Sequence, residues 1–245
     1  MKKISNLDKI NALLNKDKIA TINIQGRMKY EKKWSILVDD TDNPNGIIFK
    51  NGYWNIIYSP NDTIAKNLIN HLKEKELGFA GVLIKYYNMM KESNKIDWDE
   101  ICHLYYIDPK EIKIPQIRHN VEKLRLEDAE IVNEFYTYKD EDSIEYIKEC
   151  IIERETSCIF DEAGKPISWA VIREDGSMGI MYTRKDHRGK GLAISVTWDL
   201  IRKVINNGDI PYVHIVHGNE ASVRLAKAIG FKKYGDIAWF GTKDN

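Results

Sequence analysis

Apolar and polar positions follow a regular period through most of the second half of the chain. "VEKLRL" (121–126) reads as a strand, and "EDAEIVNEFY" after it as a helix with acids in its first turn. In "SIEYIKECIIERE" (143–155) Ile144, Ile147, Ile151 and Ile152 share one helical face. Strands "SCIFD", "PISWAVIR" and "MGIMYT" follow, separated by "EAGK" and "EDGS" turns. Leu192, Val196, Leu200, Ile201 and Val204 then recur at helical spacing until Asn207-Gly208 stops them. "YVHIV" (212–216) is a strand, Asn219 caps the helix "EASVRLAKAI", and "FKKYGDIAWF" closes the chain as a strand or hairpin.

The first half has a weaker pattern. It predicts a helix over 3–15 and strands near 20–24, 34–38, 46–50 and 53–58, with "DNPNG" and "NG" turns. A helix over 62–76, a second over 79–91 and a strand "ICHLYYI" complete it. The segment 108–118 holds two prolines and sets the boundary, giving domains 1–115 and 116–245. The expected architecture is α/β, one mixed sheet with helices on its faces per half. The two halves share a loose order of elements but no repeat at the level of residues.

Composition narrows the function by exclusion. The 37 Lys and Arg balance 37 Asp and Glu, so no global field attracts nucleic acid or an anionic membrane. No stretch approaches the roughly 18 apolar residues of a membrane span. Three cysteines cannot all pair, and no metal-ligand spacing appears, so a cytoplasmic protein without a metal is expected.

The chemistry is concentrated in "DHRGKGLA" (186–193), between a strand and a helix. A loop that runs into a helix start directs free N–H groups forward, and the helix dipole favours an anion there. Gly189 and Gly191 permit a close approach, while Arg188 and Lys190 add charge. A P-loop would need Ser or Thr after Gly-Lys, where Gly191 stands; a dinucleotide loop would need a glycine where Ile194 stands. The segment therefore reads as a phosphate loop of another kind, with a solvated basic turn as the alternative.

Together, "MYTRKDHRGKGLA" and "HGNEASVRLAKAIGF" resemble the GNAT superfamily of N-acyltransferases, and 121–240 is most similar to its glycine-acyltransferase branch. The resemblance implies a GNAT-type fold in the second half, preceded by a degenerate GNAT-like half that walls the acceptor pocket. It implies acetyl-CoA, or another acyl-CoA, as co-substrate and a small-molecule amine as acceptor. Arg188, Gly189, Lys190, Gly191, Leu192 and Ala193 would hold the diphosphate, and the backbone of Tyr182 and Thr183 the pantetheine arm. Asn219 would lie near the thiol end while also capping its helix.

Two positions depart from that pattern. Ser177 stands where many catalytic relatives have a glutamate, and Ala226 where a tyrosine acid is frequent. His217, at a strand end just before Asn219, is then the expected base, because imidazole titrates near working pH; a surface or packing role is its alternative. Ser177 would hold a water with Glu174 and Asp175 nearby, the alternative being that those acids only shape the "EDGS" turn. Tyr182 would donate to the leaving thiolate, the alternative being a core tyrosine on its strand. The N-terminal counterpart of the loop, "SPNDTIAKNL", has neither glycine nor cation before its helix, so one cofactor site per chain is expected. A non-catalytic acyl-CoA sensor and a protein lysine acetyltransferase are the competing readings.

Overall fold

After a short strand β1 (Lys2–Ile4), two series of elements run along the chain in the same order. The first is α1 (Leu7–Leu14), α2 (Ile22–Tyr30), β2 (Ser35–Val38), β3 (Ile47–Asn51), β4 (Trp54–Tyr58), α3 (Asp62–His71), β5 (Leu77–Leu83), α4 (Ile84–Lys91) and β6 (Lys95–Tyr106). The second is α5 (Ala129–Glu134), α6 (Ser143–Glu153), β7 (Thr156–Phe160), β8 (Pro166–Ile172), β9 (Met178–Thr183), α7 (Leu192–Asn206), β10 (Tyr212–Val216), α8 (Glu220–Ile229) and β11 (Lys232–Lys243). This is a computed structural model, and it describes residues 1–73 and 76–243. No helix among the described residues is long and apolar enough to cross a membrane.

The chain divides into two compact units that interleave in sequence. One comprises Met1–Leu104, Ile215–Gly218 and Lys233–Asn245; the other comprises Tyr105–His214 and Asn219–Lys232. The first unit is built on a sheet of strand order β1-β2-β3-β4-β5-β11-β6-β10. β2, β3 and β4 form an antiparallel meander, and α3 then carries the chain over to β5, parallel to β4. That parallel ladder joins only Trp54 to Gly78 and Asn55 to Phe79, after which the two strands part. β11 closes on the far side of β5 antiparallel, where Phe240 stacks on Phe79 at 4.6 Å.

The second unit holds the antiparallel sheet β7-β8-β9. β8 is buried along its whole length, so both of its faces are covered. One side carries Leu124, Ala129, Val132, Ile147, Cys150, Cys158, Trp169 and Val171 as a single apolar cluster. α7 packs its predicted face, Val196, Leu200, Ile201 and Val204, into the interior. β9 is an edge strand, and no ladder joins it to β10. At its start Tyr212 of β10 donates its hydroxyl to the Asp175 carbonyl.

Several elements differ from expectation. Residues 20–24 are not a strand, because the Thr21 hydroxyl bonds back to the Leu14 and Asp17 carbonyls and starts α2. Residues 79–91 are two elements, a strand to Leu83 and then α4. The helix predicted over 3–15 is β1 followed by α1, and the one over 62–76 ends at His71, with 74–75 outside the described residues. "VEKLRL" forms one bridge, Glu122 to Cys158, and no ladder; Arg125 instead folds onto Asp128. The predicted helix after it is a single 3-10 turn over Leu126–Asp128 followed by the short α5.

Candidate functional site

The loop between β9 and α7 is built to leave its amides open. One 3-10 turn, Lys185–His187, follows β9, and helical bonding starts with the Ser195 N–H on the Gly191 carbonyl at 3.2 Å. The N–H groups of Leu192, Ala193 and Ile194 therefore precede the first intrahelical bond, and no side chain caps them. Gly189 and Gly191 lie in the left-handed region, at φ 77° and 76°, where a side chain would be strained. Arg188, Gly189 and Lys190 are exposed. Arg188 donates through Nε to the Thr183 carbonyl at 3.0 Å, with its guanidinium 5.4 Å from the Tyr182 ring centre. The result is a cationic cradle at a helix start, which fits a diphosphate.

The strand before it is shaped by a bulge. Trp169 pairs with Tyr182 and Val171 with Gly179, so Ile180 and Met181 together face Ala170. Ile180 has φ 44°, a left-handed conformation that β-branched residues rarely adopt. Tyr182 is stacked on Phe135 at 4.7 Å and tilted against Trp169 at 5.5 Å, so its ring is fixed. Thr183 shares a hydrogen bond with Ser168 at 2.8 Å. The outer edge of β9 carries no ladder and can pair with an extended amide-bearing chain.

Ser177 is buried, and both its hydroxyl and its amide bond to Asp175 Oδ1, at 2.6 and 2.9 Å. Its oxygen is committed to the β8–β9 turn. Asn219 caps α8 by accepting from the Ser222 N–H at 3.2 Å, and Ala226 is buried on the same helix. Sequence reasoning passed over His119, which binds Ser195 of α7 at 2.8 Å and lies beside Gly191. It comes from an irregular segment, and no spacing signals it.

His217 belongs to the first unit. Its ring lies on His103 of β6 at 4.0 Å, and its Nε2 is 3.4 Å from Asp236 Oδ1. The same oxygen receives His103 Nδ1 at 2.7 Å and the Lys233 ammonium at 2.8 Å. Burial alone would raise the Asp236 pKa, but the bonds from Lys233 and His103 outweigh it and bring it down to about 2. The ionised form is therefore the stabilising one. Its contribution is full above about pH 4 and is lost as pH falls towards 2. Asp236→Asn should remove that part of the acid-unfolding curve, roughly 1 kcal/mol after allowing for partial exposure; an unchanged acid limb would show that the cluster holds no such charge.

Against this geometry, residues 158–240 match the family model described as FR47-like protein. Glycine N-acyltransferase-like protein 2 of Homo sapiens is 28% identical over 106 residues, 42% of this chain and 36% of that one. Glycine N-acyltransferase of Bos taurus is 23% identical over 124 residues, 50% of this chain and 40% of that one. The chain thus spans less than half the length of these curated relatives. An X-ray structure of a Drosophila protein superposes with a TM-score of 0.81 at 15% identity, covering 98% of this chain and 97% of that one. An acetyltransferase from the GNAT family from Colwellia psychrerythraea does so at 0.59 and 15%, covering 99% of each. At such identities the likeness is one of fold.

Proposed function

We propose that the chain, whose residues 158–240 match the FR47-like model and whose second half is similar to the glycine N-acyltransferases, is a GNAT-type enzyme that transfers an acyl group, most simply acetyl, from acyl-CoA to the amine of a small molecule. The observation that carries this reading is the run of open amides from 189 to 194 behind Arg188 and Lys190, next to an unladdered strand edge. Acyl-CoA supplies the activated thioester. Gly189, Lys190, Gly191, Leu192 and Ala193 hold its diphosphate, and Arg188 tethers the loop to Thr183 while adding charge. The β9 backbone at Tyr182 and Thr183 aligns the pantetheine arm and orients the acyl carbonyl. Asn219 keeps its capping role near the thiol end.

The amine must lose a proton as its nitrogen attacks. His217 takes that proton, and the new C–N bond displaces the CoA thiolate, whose pKa near 8.5 lets it leave with little help. In this reading Tyr182 donates to that thiolate. Ser177 is assigned to the turn with Asp175. The names of the glycine N-acyltransferase relatives make glycine the first acceptor to try.

Thiol release from acetyl-CoA, measured with a panel of amines including glycine, tests the assignment. Acceptor-dependent release is expected. His217→Ala should lower turnover about tenfold or more while leaving acetyl-CoA affinity unchanged; equal turnover from pH 6 to 9 would remove His217 as the base. The buried Ser177–Asp175 bond and Ala226 favour a second reading, an acyl-CoA sensor. Saturable binding with no thiol release for any amine would establish it.

A further inference from the structure

The first unit carries a cavity of about 540 Å³ where β4 and β5 part, within the range of small-molecule sites. It lies between the end of β4 with its following turn (Tyr58, Pro60) and the junction of β5 with α4 (Leu83, Ile84, Lys85). The gap between the strands is built rather than frayed. Asn23 of α2 donates its carboxamide to the carbonyls of Ala80 and Gly81, at 3.0 and 2.9 Å. The Tyr86 hydroxyl both donates to the Ser59 carbonyl and accepts from the Ser59 N–H, at 2.6 and 3.0 Å. The backbone groups freed by the parting are thus satisfied, and the cavity walls are fixed.

Three features make one end of this cavity a site for an anion. α4 starts there with Leu83 as its cap residue and no side chain on its first amides. By contrast α3 is closed: Asn61 accepts from Thr63 and Ile64, and Asp62 follows. Tyr58 lines the cavity, is only 4% exposed, and its hydroxyl has no hydrogen-bond partner among the described residues. Burial, and then the Asp17 charge, push its pKa up to about 12, so it remains a neutral donor. Lys16 and Lys85 add two ammonium groups; Lys16 donates to Asn45 at 3.0 Å, and Lys85 lies 3.4 Å from the exposed Asp62 and 4.7 Å from the Tyr86 ring centre.

The remaining charged groups set what else the ligand carries. Asp17 and Asp236 also line the cavity. Asp17 accepts from the Tyr234 hydroxyl at 2.6 Å and the Ala20 amide at 3.0 Å, and Asp236 from Lys233 and His103. Two cations and two anions around one space match a ligand with both signs and disfavour a polyanion such as a diphosphate. We infer that this cavity binds a small amino carboxylate, its carboxylate on Tyr58, Lys16, Lys85 and the start of α4, and its ammonium towards Asp17 and Asp236. The site lies wholly within the first unit, and its Asp236 also faces His217, the base of the proposed transfer, at 3.4 Å; binding measured without CoA is read independently of acyl transfer.

Isothermal titration of the full chain without CoA tests it, with glycine, 4-aminobutyrate and glutamate as probes, and acetate and inorganic phosphate as controls. Saturable binding of at least one amino carboxylate is expected, with affinity about tenfold lower in Tyr58→Phe and in Lys85→Met. Acetate and phosphate should bind at least tenfold more weakly than that probe. Gly191→Asp should leave the titration unchanged, which separates this site from the acyl-CoA cradle. No saturable binding of any amino carboxylate would overturn the inference, as would equal affinity in well-folded Tyr58→Phe and Lys85→Met chains. Binding of phosphate or acetate as tight as that of the amino carboxylates would overturn the ligand class.

Discussion

Gly191→Asp should weaken acetyl-CoA binding by more than a hundredfold while leaving the fold intact. Gly191 sits at φ 76° directly before α7, so a side chain there meets a left-handed cost of about 1–2 kcal/mol, somewhat less for Asp. Its carboxylate would face the diphosphate. At about 4 Å and a near-surface dielectric, one pair of like charges costs roughly 4 kcal/mol, more than the 2.7 kcal/mol or so that a hundredfold requires. The helix itself tolerates the change, because an acid at a helix start is favoured by the dipole and is a good cap. Arg188→Ala removes one charge and its tether to Thr183, and should cost about tenfold. Isothermal titration of both variants, with unfolding curves alongside, checks this; wild-type affinity in both would remove the loop from the account.

Trp169→Ala carries the largest expected effect on stability, about 3–5 kcal/mol. Trp169 is 1% exposed, sits in the cluster of Leu124, Val132, Ile147 and Cys158, and leans on Phe135 and Tyr182. Its removal leaves a cavity under β9, beside the bulge at Ile180. Urea unfolding should show the loss, and acetyl-CoA affinity should fall as well because Tyr182 loses one of its two ring supports. A loss below 1 kcal/mol would mean that the neighbours collapse into the space and that β9 does not depend on this packing.

Which parts of this were legible in the sequence follows from the range of the forces involved. The β9–loop–α7 segment was readable because each signal is local: alternation in "MGIMYT", glycines at the turn, then apolar residues three and four apart. Asn219 as a helix cap was readable for the same reason. α2 was misread because its β-branched residues mimic a strand, while the bonds that make it a helix run back to Leu14 and Asp17. β5 was merged with α4 because Gly78, Ala80 and Gly81 erase the alternation. These small residues suit their neighbours: the Tyr53 ring occupies the place of a side chain at Gly78, and Asn23 reaches the carbonyls of Ala80 and Gly81. The pairing of β11 with β5 joins Phe240 to Phe79 across the chain, and no window of sequence contains both. The bulge at Ile180 and the approach of His119 to Ser195 are likewise settled by packing rather than by pattern.

A crystal of the chain grown with acetyl-CoA is the most direct test. The account predicts diphosphate oxygens within hydrogen-bonding distance of the amides from Gly189 to Ala193, with the pantetheine arm along β9. A nucleotide bound at any other surface, with those amides facing only water, would contradict it.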